Sequence, residues 1–314
     1  MPIYDGESNI MVTSRDSSLE QAHFNGLTMS LLASGDGTEL IHHHLAAGYD
    51  WAIGPEEGWQ AFESICVLRG HLTWESQEGT QHLRPGDVLS AHPIQKYVVF
   101  TAQEDTDFLY VVTQPVFHQY SQQLHALVQM AISIAEKDGY TSGHCDRIKT
   151  MSVQVGRVMG LSQSQLFNLN MGSFFHDIGK IRVPEAILLK AGKLTDDEWK
   201  EMREHALHGK RILLESELPY LKEPANIVAQ HHERQDGRGY PLGLRGGEIC
   251  IEAAIISVVD SFDAMTTDRP YHKAVSRADA AAELQRCKGT QFHPDVVDAF
   301  IRVLEEDPGI QAGA

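Results

Sequence analysis

The sequence has few cysteines, few basic side chains and no long apolar run. Its four cysteines are Cys66, Cys145, Cys250 and Cys287, and no two of them form a CxxC pair. Such scattered thiols exclude a disulfide framework and a zinc knuckle, and they are typical of reduced, mostly buried cysteines. The longest apolar runs, such as residues 253–259, fall far short of a bilayer span.

A shortage of positive charge limits the partners that the chain can take. It has 26 lysines and arginines against 43 aspartates and glutamates, which gives a formal net charge of −17. Because a polyanion would be repelled over most of this surface, we expect no nucleic-acid polymer as a partner. The first 18 residues are too polar for a secretory signal. We therefore expect a cytoplasmic protein without a membrane partner.

The length of 314 residues exceeds one compact core of ordinary size, so two domains are expected. From residue 27 to about 113, short apolar segments alternate with turn residues, which predicts an all-β sandwich or barrel. Apolar residues then recur at three- and four-residue steps over 117–137, which predicts one long helix. We expect an all-β domain at 1–114, a linker helix at 115–139 and an all-α helical bundle at 140–314.

Helical patterns continue to the end of the chain after residue 139. Ser162 with Gln165 predicts an N-terminal cap for one of these helices. The helices of the bundle are predicted at residues 145–159, 162–178, 195–215, 224–231, 251–266, 277–286 and 294–306.

The β region resembles the framework of a cupin barrel. The resemblance rests on Glu63, Gly70, Gly79 and the Leu-Arg-Pro-Gly-Asp turn at 83–87. Metal-binding cupins carry a His-x-His pair ahead of that glutamate, where this chain has Glu57 and Trp59. Metal-binding cupins also carry a histidine in a second motif, and the candidate for it in this chain, His92, is shifted from the position of that histidine. The resemblance therefore implies a barrel that senses a small molecule, or a purely structural barrel, rather than a metal centre.

Three consecutive histidines, His42 to His44, lie in one predicted strand. On a strand His42 and His44 would face one side and could share a metal, but a half-exposed strand with polar residues gives the same pattern. No third or fourth ligand lies at a suitable spacing. We therefore expect no metal at these histidines.

The helical half is organised around residues 174–180, in which His176 and Asp177 directly follow two phenylalanines. A neutral imidazole and a carboxylate held together on a buried helix suit a divalent metal. Lys180 would lie on the same helical face and suits an anion bound to that metal. The pattern predicts metal-dependent hydrolysis of a phosphodiester.

Other histidines and one aspartate of the helical half belong with this pair. Taken singly each is a weak signal, because a lone histidine in a helix is more often a surface or core residue than a ligand. Together they are hard to attribute to packing. These candidates are His144, His205, His231, His232 and Asp260.

The sequence around these residues resembles an HD-GYP domain. This family is a branch of the HD metal-dependent phosphohydrolases and hydrolyses the bacterial second messenger cyclic di-GMP. The motifs that carry the resemblance are Tyr140-Thr141 with His144, HDIGK at 176–180, Lys190 with GKL at 192–194, His205, HHERQDGRGYP at 231–241, Asp260 with FDAMT at 262–266, and DRPY at 268–271.

The resemblance implies a site for two divalent metals, iron or manganese. One metal would be held by His144, His176, Asp177 and Asp260, and Asp177 would bridge to a second held by His205, His231 and His232. Two cations would lower the pKa of a shared water far below its bulk value of about 15.7. Some family members hold a third metal through a glutamate where this chain has Tyr140, so we expect two metals.

The resemblance also implies catalytic and substrate-binding residues. Asp177 and Lys180 would be catalytic, with the Lys180 ammonium stabilising charge on the phosphate oxygens. A basic cluster would clamp the second phosphate of a cyclic dinucleotide, and it comprises Arg269, His272 and Lys273. Family members usually have arginine or lysine at the position of His272.

A glycine-rich loop follows the last two histidine ligands. The resemblance implies that this loop shapes the substrate side of the site and contacts partner proteins such as diguanylate cyclases. Two glycines permit unusual backbone dihedrals and a proline fixes the exit of the loop. The implied substrate contacts are Arg234, Gly239, Tyr240 and Pro241.

The function implied by the resemblance is hydrolysis of cyclic di-GMP to pGpG, GMP or both, regulated by the N-terminal domain. One alternative keeps this chemistry for another cyclic dinucleotide. Another is an HD-GYP module that has lost catalysis and serves as a receptor or a protein-interaction module. The apolar stripe of the linker helix suits both packing within one chain and a homodimer seam.

Overall fold

The computed structural model describes residues 2–8, 10–55, 58–138, 143–268 and 273–306. The chain divides into two compact units. Met1–His125 is named the β unit and Ala126–Ala314 the helical unit. No helix in the described part of the chain combines the length and the hydropathy needed to cross a membrane.

The β unit is built from antiparallel strands. They are β1 (Ile3–Asp5), β2 (Ile10–Val12), β3 (Glu20–Phe24), β4 (Leu27–Gly35), β5 (Thr38–Leu45), β6 (Asp50–Ile53), β7 (Glu63–Arg69), β8 (Leu72–Ser76), β9 (Gly79–Leu83), β10 (Val88–Ala91), β11 (Val98–Ala102) and β12 (Thr106–Val112). The first two pair with each other. The others form a six-stranded sheet, in the order β10-β7-β12-β5-β4-β3, and a four-stranded sheet, in the order β6-β11-β8-β9.

Both larger sheets contribute to one apolar core. On β7, alternate residues Ile65 and Val67 are buried, because successive side chains of a strand point to opposite faces. They share the core with Phe100 of the four-stranded sheet and Phe108 of the six-stranded sheet. Two antiparallel sheets around one core form the double-sheet arrangement to which cupins belong. The prediction of an all-β, cupin-like N-terminal region is confirmed.

The helical unit begins within a helix that starts in the β unit. The helices are α1 (Phe117–Lys137), α2 (His144–Val158), α3 (Gln163–Phe175), α4 (Glu185–Leu188), α5 (Asp196–Arg203), α6 (His205–Glu215), α7 (Lys222–Gln230), α8 (Ile251–Thr266), α9 (Arg277–Arg286) and α10 (Pro294–Glu306). Short 3₁₀ helices lie at Ile178–Arg182, Pro219–Leu221 and Gly246–Glu248. The prediction of an all-α C-terminal region after a long helix is confirmed.

Helix α8 is the centre of the helical core. Its residues Ile255, Val258 and Val259 are fully buried, and they belong to one apolar cluster with residues of α2, α3 and α10. This packing holds Asp260, on the same helix, at a fixed place in the bundle.

A buried acid of the sheet caps the first turn of α1. The Glu39 carboxylate, in β5, accepts hydrogen bonds from the backbone N–H groups of Val116 (2.8 Å) and Phe117 (2.9 Å). The first N–H groups of a helix have no partner within the helix, so this acid satisfies groups that would otherwise be buried unpaired. The start of α1 is thereby fixed to the β unit.

Two helix predictions are wrong at their boundaries. The helix predicted at 162–178 starts with the expected Ser162–Gln165 capping box but ends at Phe175, so Lys180 lies in a 3₁₀ helix. The single helix predicted at 195–215 is broken at Glu204 into α5 and α6.

A close approach between two backbones packs the 3₁₀ helix at Ile178–Arg182 against α6. At Gly179 a Cβ atom would fall on the carbonyl group of His205 and the amide nitrogen of Gly209. Only glycine allows this approach, which packs the 3₁₀ helix directly on the backbone of α6. The segment after Asp177 therefore lies against the helix that begins with His205.

Candidate metal centre in the helical unit

The seven predicted ligands lie in two groups. Within each group, the ligand atoms all lie within 4.8 Å of one another. The first group is His144, His176 and Asp260, and the second is Asp177, His205, His231 and His232. This grouping is the one that the resemblance implies, and metal binding by these residues stays a prediction.

Asp177 turns one carboxylate oxygen to each group. Its Oδ2 lies 3.3 Å from His176 Nε2. Its Oδ1 lies 3.5 Å from His205 Nε2 and 4.0 Å from His231 Nε2. On the far side of the first group, Asp260 Oδ1 lies 3.8 Å from His176 Nε2. A carboxylate in this position can bridge two cations.

Three of the histidines follow the last turn of a helix, which fixes Nδ1 of each ring as a hydrogen-bond donor. The Nδ1 atoms of His176, His205 and His231 lie 2.8, 2.7 and 2.6 Å from the carbonyl oxygens three residues earlier. Those carbonyls lie in the last turns of α3, α5 and α7. Because a carbonyl only accepts, Nδ1 donates in each ring, and a ring that is neutral therefore has its lone pair on Nε2.

His144 is oriented by a carboxylate instead of a carbonyl. Its Nδ1 lies 2.8 Å from Asp263 Oδ2, and Arg147 Nε donates to the other oxygen of Asp263 at 2.7 Å. Burial raises the pKa of Asp263, but the hydrogen bonds from His144 and Arg147 outweigh it and lower the pKa to about 2. An ionised carboxylate behind a histidine fixes the ring and strengthens it as a ligand.

The donor atoms of the site fit a divalent cation. Among the described residues, His176 Nε2, Asp177 Oδ1 and Asp260 Oδ1 are buried without a hydrogen-bond partner. Buried polar atoms are normally paired, so three such atoms in one site call for a missing partner. Imidazole nitrogens together with carboxylate oxygens suit iron, manganese and similar divalent ions.

The second group holds neutral histidines near pH 7. Burial lowers the pKa of His205 to about 3 and that of His231 to about 4. Burial and the neighbouring imidazoles also hold the pKa of His232 well below its ordinary value. A neutral imidazole is the form that binds a metal, so these three residues need lose no proton first.

The charge balance differs around the first group. Burial lowers the pKa of His176, but the carboxylates of Asp177 and Asp260 outweigh it and raise the pKa to about 9. Burial raises the pKa of Asp177, but Lys180 and the neighbouring histidines outweigh it and hold the pKa well below its ordinary value. His176 therefore carries a proton on the atom that a cation would bind.

Lys180 lies between two carboxylates. Its Nζ donates to Asp177 Oδ2 at 2.8 Å and to Asp138 Oδ2 at 2.6 Å. The sequence predicted the position of Lys180 beside Asp177 but not its contact with Asp138. Asp138 directly follows α1, and its place at the end of the predicted linker helix was the only signal in the sequence that could have found it.

The loop after His232 is fixed by a buried acid. Glu233 is 3% exposed, and its carboxylate accepts hydrogen bonds from the backbone N–H groups of Leu242, Gly243 and Leu244 at 2.7, 3.1 and 3.0 Å. At Gly239 a Cβ atom would lie 2.6 Å from Glu233 Cα, so the loop closes on itself there. The sequence analysis did not assign a role to Glu233.

The same loop lies beside the second group. The Tyr240 ring stacks on the His232 ring, with centroids 4.8 Å apart and an interplanar angle of 30°. Burial raises the pKa of Tyr240, so its hydroxyl stays protonated. The Tyr240–Pro241 peptide bond is cis. The predicted substrate side of the loop therefore adjoins the candidate ligands.

The structure does not bring the predicted substrate contacts Arg234 and Lys273 beside the candidate ligands in the way that it brings Tyr240. The Arg234 guanidinium is bonded to Asp236 (Nη2 to Oδ2, 2.7 Å) and to Gln291 (Nη1 to Oε1, 3.0 Å), which ties it to neighbouring loops. Lys273 is exposed. Substrate binding by both stays a prediction. Predictions also fall on Glu57, Tyr140, Arg269 and His272, which lie outside the described residues.

Comparisons with known proteins match the helical unit to one family. A family model described as HD domain matches residues 126–296. A cyclic di-GMP phosphodiesterase of Thermotoga maritima is 38% identical over 272 residues, which cover 86% of this chain and 70% of that protein. The 3'3'-cGAMP-specific phosphodiesterase 3 of Vibrio cholerae is 35% identical over 168 residues, which cover 54% of this chain and only 36% of that protein.

Solved structures similar to parts of the chain include a cupin superfamily protein from Desulfitobacterium hafniense. The TM-score is 0.26 at 18% identity, over 31% of this chain and 85% of that one. The family model covers more than half of the chain, and the Thermotoga maritima relative is similar over most of it. The chain therefore belongs to the HD-domain family, as the HD-GYP-like motifs predict, and both curated relatives named above are phosphodiesterases.

Proposed function

We propose that the chain is a metal-dependent phosphodiesterase that hydrolyses cyclic di-GMP to pGpG, GMP or both. The observation that carries the proposal is Asp177, which turns one oxygen to each of two histidine groups. This arrangement supports a pair of divalent cations rather than a single one. When bound, such a pair supplies Lewis acidity to a phosphate and lowers the pKa of water.

Each group of ligands would hold one cation, with Asp177 shared between them. The first site would use His144, His176 and Asp260, and the second His205, His231 and His232. Iron or manganese suits a donor set so rich in imidazole. The uncharged state of the second-group histidines and the ionised state of Asp177 support loading near neutral pH.

Lys180 would act on the substrate beside this centre. Its ammonium contacts Asp177, so it lies where it can stabilise negative charge that develops on phosphate oxygens. The loop at Gly239, Tyr240 and Pro241 would border the bound dinucleotide. In our proposal Arg234, Arg269, His272 and Lys273 complete the phosphate contacts, as the resemblance implies.

The β unit would regulate this activity in response to a small-molecule ligand. Helix α1 supports the proposal, because Glu39 caps its first turn and Asp138, directly after its last residue, bonds Lys180. The proposal includes a cytoplasmic location, contacts of the glycine-rich loop with diguanylate cyclases, and a homodimer through α1.

Activity and metal content of anaerobically purified protein test the proposed function. We expect two metals per chain and hydrolysis of cyclic di-GMP under reducing conditions with manganese or ferrous iron. A lack of hydrolysis in metal-replete protein would contradict the proposed activity. A metal content near three per chain would contradict the two-metal site.

A second candidate substrate is 3'3'-cGAMP, because a relative 35% identical over 168 residues is named as specific for it. The chemistry at the phosphate would be the same, so the ligand groups do not distinguish the two substrates. Assaying cyclic di-GMP, 3'3'-cGAMP and cyclic di-AMP side by side decides between them. We expect the highest kcat/KM for cyclic di-GMP.

A further inference from the structure

A row of stacked side chains runs from an exposed ring to the second group of ligands. Trp199, on α5, is 44% exposed. The guanidinium carbon of Arg203, one turn further along α5, lies 5.8 Å from the centre of the Trp199 ring and 5.4 Å from that of Tyr240. Tyr240 in turn stacks on His232. The row places a cation and an open aromatic face next to the candidate metal centre.

Arg203 is a cation that no acid of the described residues neutralises. Nearby lysines are paired with acids: Lys190 Nζ with Glu198 at 2.5 Å and Lys200 Nζ with Asp197 at 2.7 Å. Within the part of the chain that the structure describes, no acid lies within ion-pair distance of Arg203. Its charge is therefore available to a bound molecule.

Arg203 lies over the rings of both Trp199 and Tyr240 and is itself exposed. A guanidinium that stacks on aromatic rings uses its face for these contacts. Its five N–H donors point outward in the plane of the group. An arginine held by its face is thus oriented to donate two parallel hydrogen bonds to a planar acceptor.

Guanine is the nucleobase that matches such an edge. It presents two neighbouring acceptors, O6 and N7, to which arginine donates in a bidentate manner, whereas adenine presents one acceptor and one donor there. Because arginine cannot accept a hydrogen bond, it favours guanine over adenine. An exposed tryptophan beside it offers the stacking surface that nucleobases use on proteins.

We propose that Arg203 and Trp199 form a guanine-binding subsite next to the second ligand group. Arg203 donates to O6 and N7 of one guanine, and Trp199 stacks on the same base. The subsite rests on the proposed function, because the guanine belongs to a dinucleotide whose phosphate lies at the candidate metal centre. It makes Arg203 a residue that determines base specificity.

Conservative and non-conservative substitutions of Arg203 test the subsite in the metal-loaded full chain. The substrates are cyclic di-GMP and bis(p-nitrophenyl) phosphate, a phosphodiester without a base. Arg203→Lys keeps the charge but loses the fork of donors. We expect kcat/KM for cyclic di-GMP to fall by about 10-fold in Arg203→Lys and Arg203→Gln alike, since one bidentate base contact is worth that much. Hydrolysis of bis(p-nitrophenyl) phosphate should not change.

Tryptophan substitutions test the stacking surface in the same assay. Trp199→Ala should lower kcat/KM for cyclic di-GMP by about 10-fold, and Trp199→Phe should restore most of it, because stacking needs only an aromatic face. Lys200→Gln, an exposed change on the same helix, is the matched control and should leave both substrates unaffected.

Distinct outcomes separate the subsite from the proposed function. Equal losses on both substrates, or no loss, would overturn the subsite while leaving the activity in place. Wild-type activity in Arg203→Lys with loss in Arg203→Gln would show a contact to phosphate and would also overturn it. A metal-loaded wild type that hydrolyses neither substrate would refute the proposed function, and the subsite with it.

Discussion

Buried histidines occur in both units of the chain, yet their surroundings differ. In the β unit His43 is 1% exposed, and its ring stacks on Phe108 with centroids 4.8 Å apart. In the helical unit His231 is fully buried. Burial lowers the pKa of His43 to about 3 and that of His231 to about 4, so both are neutral at pH 7. Burial and protonation state therefore do not separate a core histidine from a candidate ligand.

The arrangement of carboxylates and carbonyls does separate them. His231 donates through Nδ1 to a carbonyl and turns Nε2 towards Asp177. His43 Nδ1 has no hydrogen-bond partner among the described residues, and aromatic rings surround its side chain. A histidine becomes a candidate ligand when one ring nitrogen donates a hydrogen bond to a carbonyl or carboxylate and the other ring nitrogen faces an acid.

Replacing one acid in each unit should give the largest difference between the two units, in metal content and in activity. Asp177→Asn removes the charge shared by both ligand groups, so we expect loss of metal and a fall in activity of at least about 100-fold, beyond the effect of changing an outer partner of a ligand. Asp107→Asn removes the acid beside His42 and His44 in the β unit and should leave metal content unchanged. Metal analysis and hydrolysis assays measure both. Full metal content in Asp177→Asn would contradict the bridging role.

Acid should destabilise metal-free protein through histidines of both units. The pKa values of His43, His205 and His231, at about 3 to 4, lie below the unfolded value of 6.5. Above pH 6.5 neither state binds the proton. Below it only the unfolded chain does, so the free energy of unfolding falls by up to about 1.4 kcal/mol per pH unit for each histidine. His176, with its raised pKa, is protonated in both states there and adds no slope.

Urea unfolding of the metal-free protein at pH 7 and pH 5 measures this loss. Tryptophan fluorescence follows mainly the β unit, which contains Trp51, Trp59 and Trp74, and far-ultraviolet circular dichroism follows the helices. Bound metal should protect the helical unit from acid but not the β unit. Equal stability at both pH values would show that these histidines are not held neutral.

A histidine-to-phenylalanine substitution made in each unit should have smaller effects on stability and metal content. His43→Phe keeps an aromatic ring on Phe108 and removes a buried nitrogen without a partner among the described residues, so the β unit should be unchanged or stabilised by about 1 kcal/mol. His231→Phe removes a candidate ligand and should lower metal content. Urea unfolding and metal analysis measure the two results. Loss of metal in His43→Phe would overturn the distinction.

The fold class and the clustering of the candidate ligands could be predicted because their signals are local in sequence. The β and helical periodicities change near residue 115, and His176-Asp177 and His231-His232 are adjacent pairs in ordered motifs. The pairings of these candidates with other residues carry no such signal, since Asp263 stands in the FDAMT motif but nothing local in the sequence pairs it with His144. Asp263 lies 119 positions from His144, and Asp138 lies 42 positions from Lys180.

The wrong helix boundaries have the same origin. Apolar periodicity continues past Phe175 and through Glu204, so a sequence pattern extends both helices. In the structure α3 and α5 end near these positions, and His176 and His205 bond carbonyls of the preceding turn, with Nε2 of both rings beside Asp177. A tertiary requirement outweighs local helix propensity at both positions.

The contact of Gly179 with the backbone of His205 and Gly209 sets a condition for protein engineering. Side chains of a core can be exchanged if their volume is kept, but a contact between two main chains leaves nothing to exchange. The distance between the candidate ligands His176 and Asp177 and the candidate ligand His205 is therefore set by a contact between two main chains. Grafting the proposed two-metal site onto another helical scaffold requires that crossing to be copied along with the seven candidate ligands.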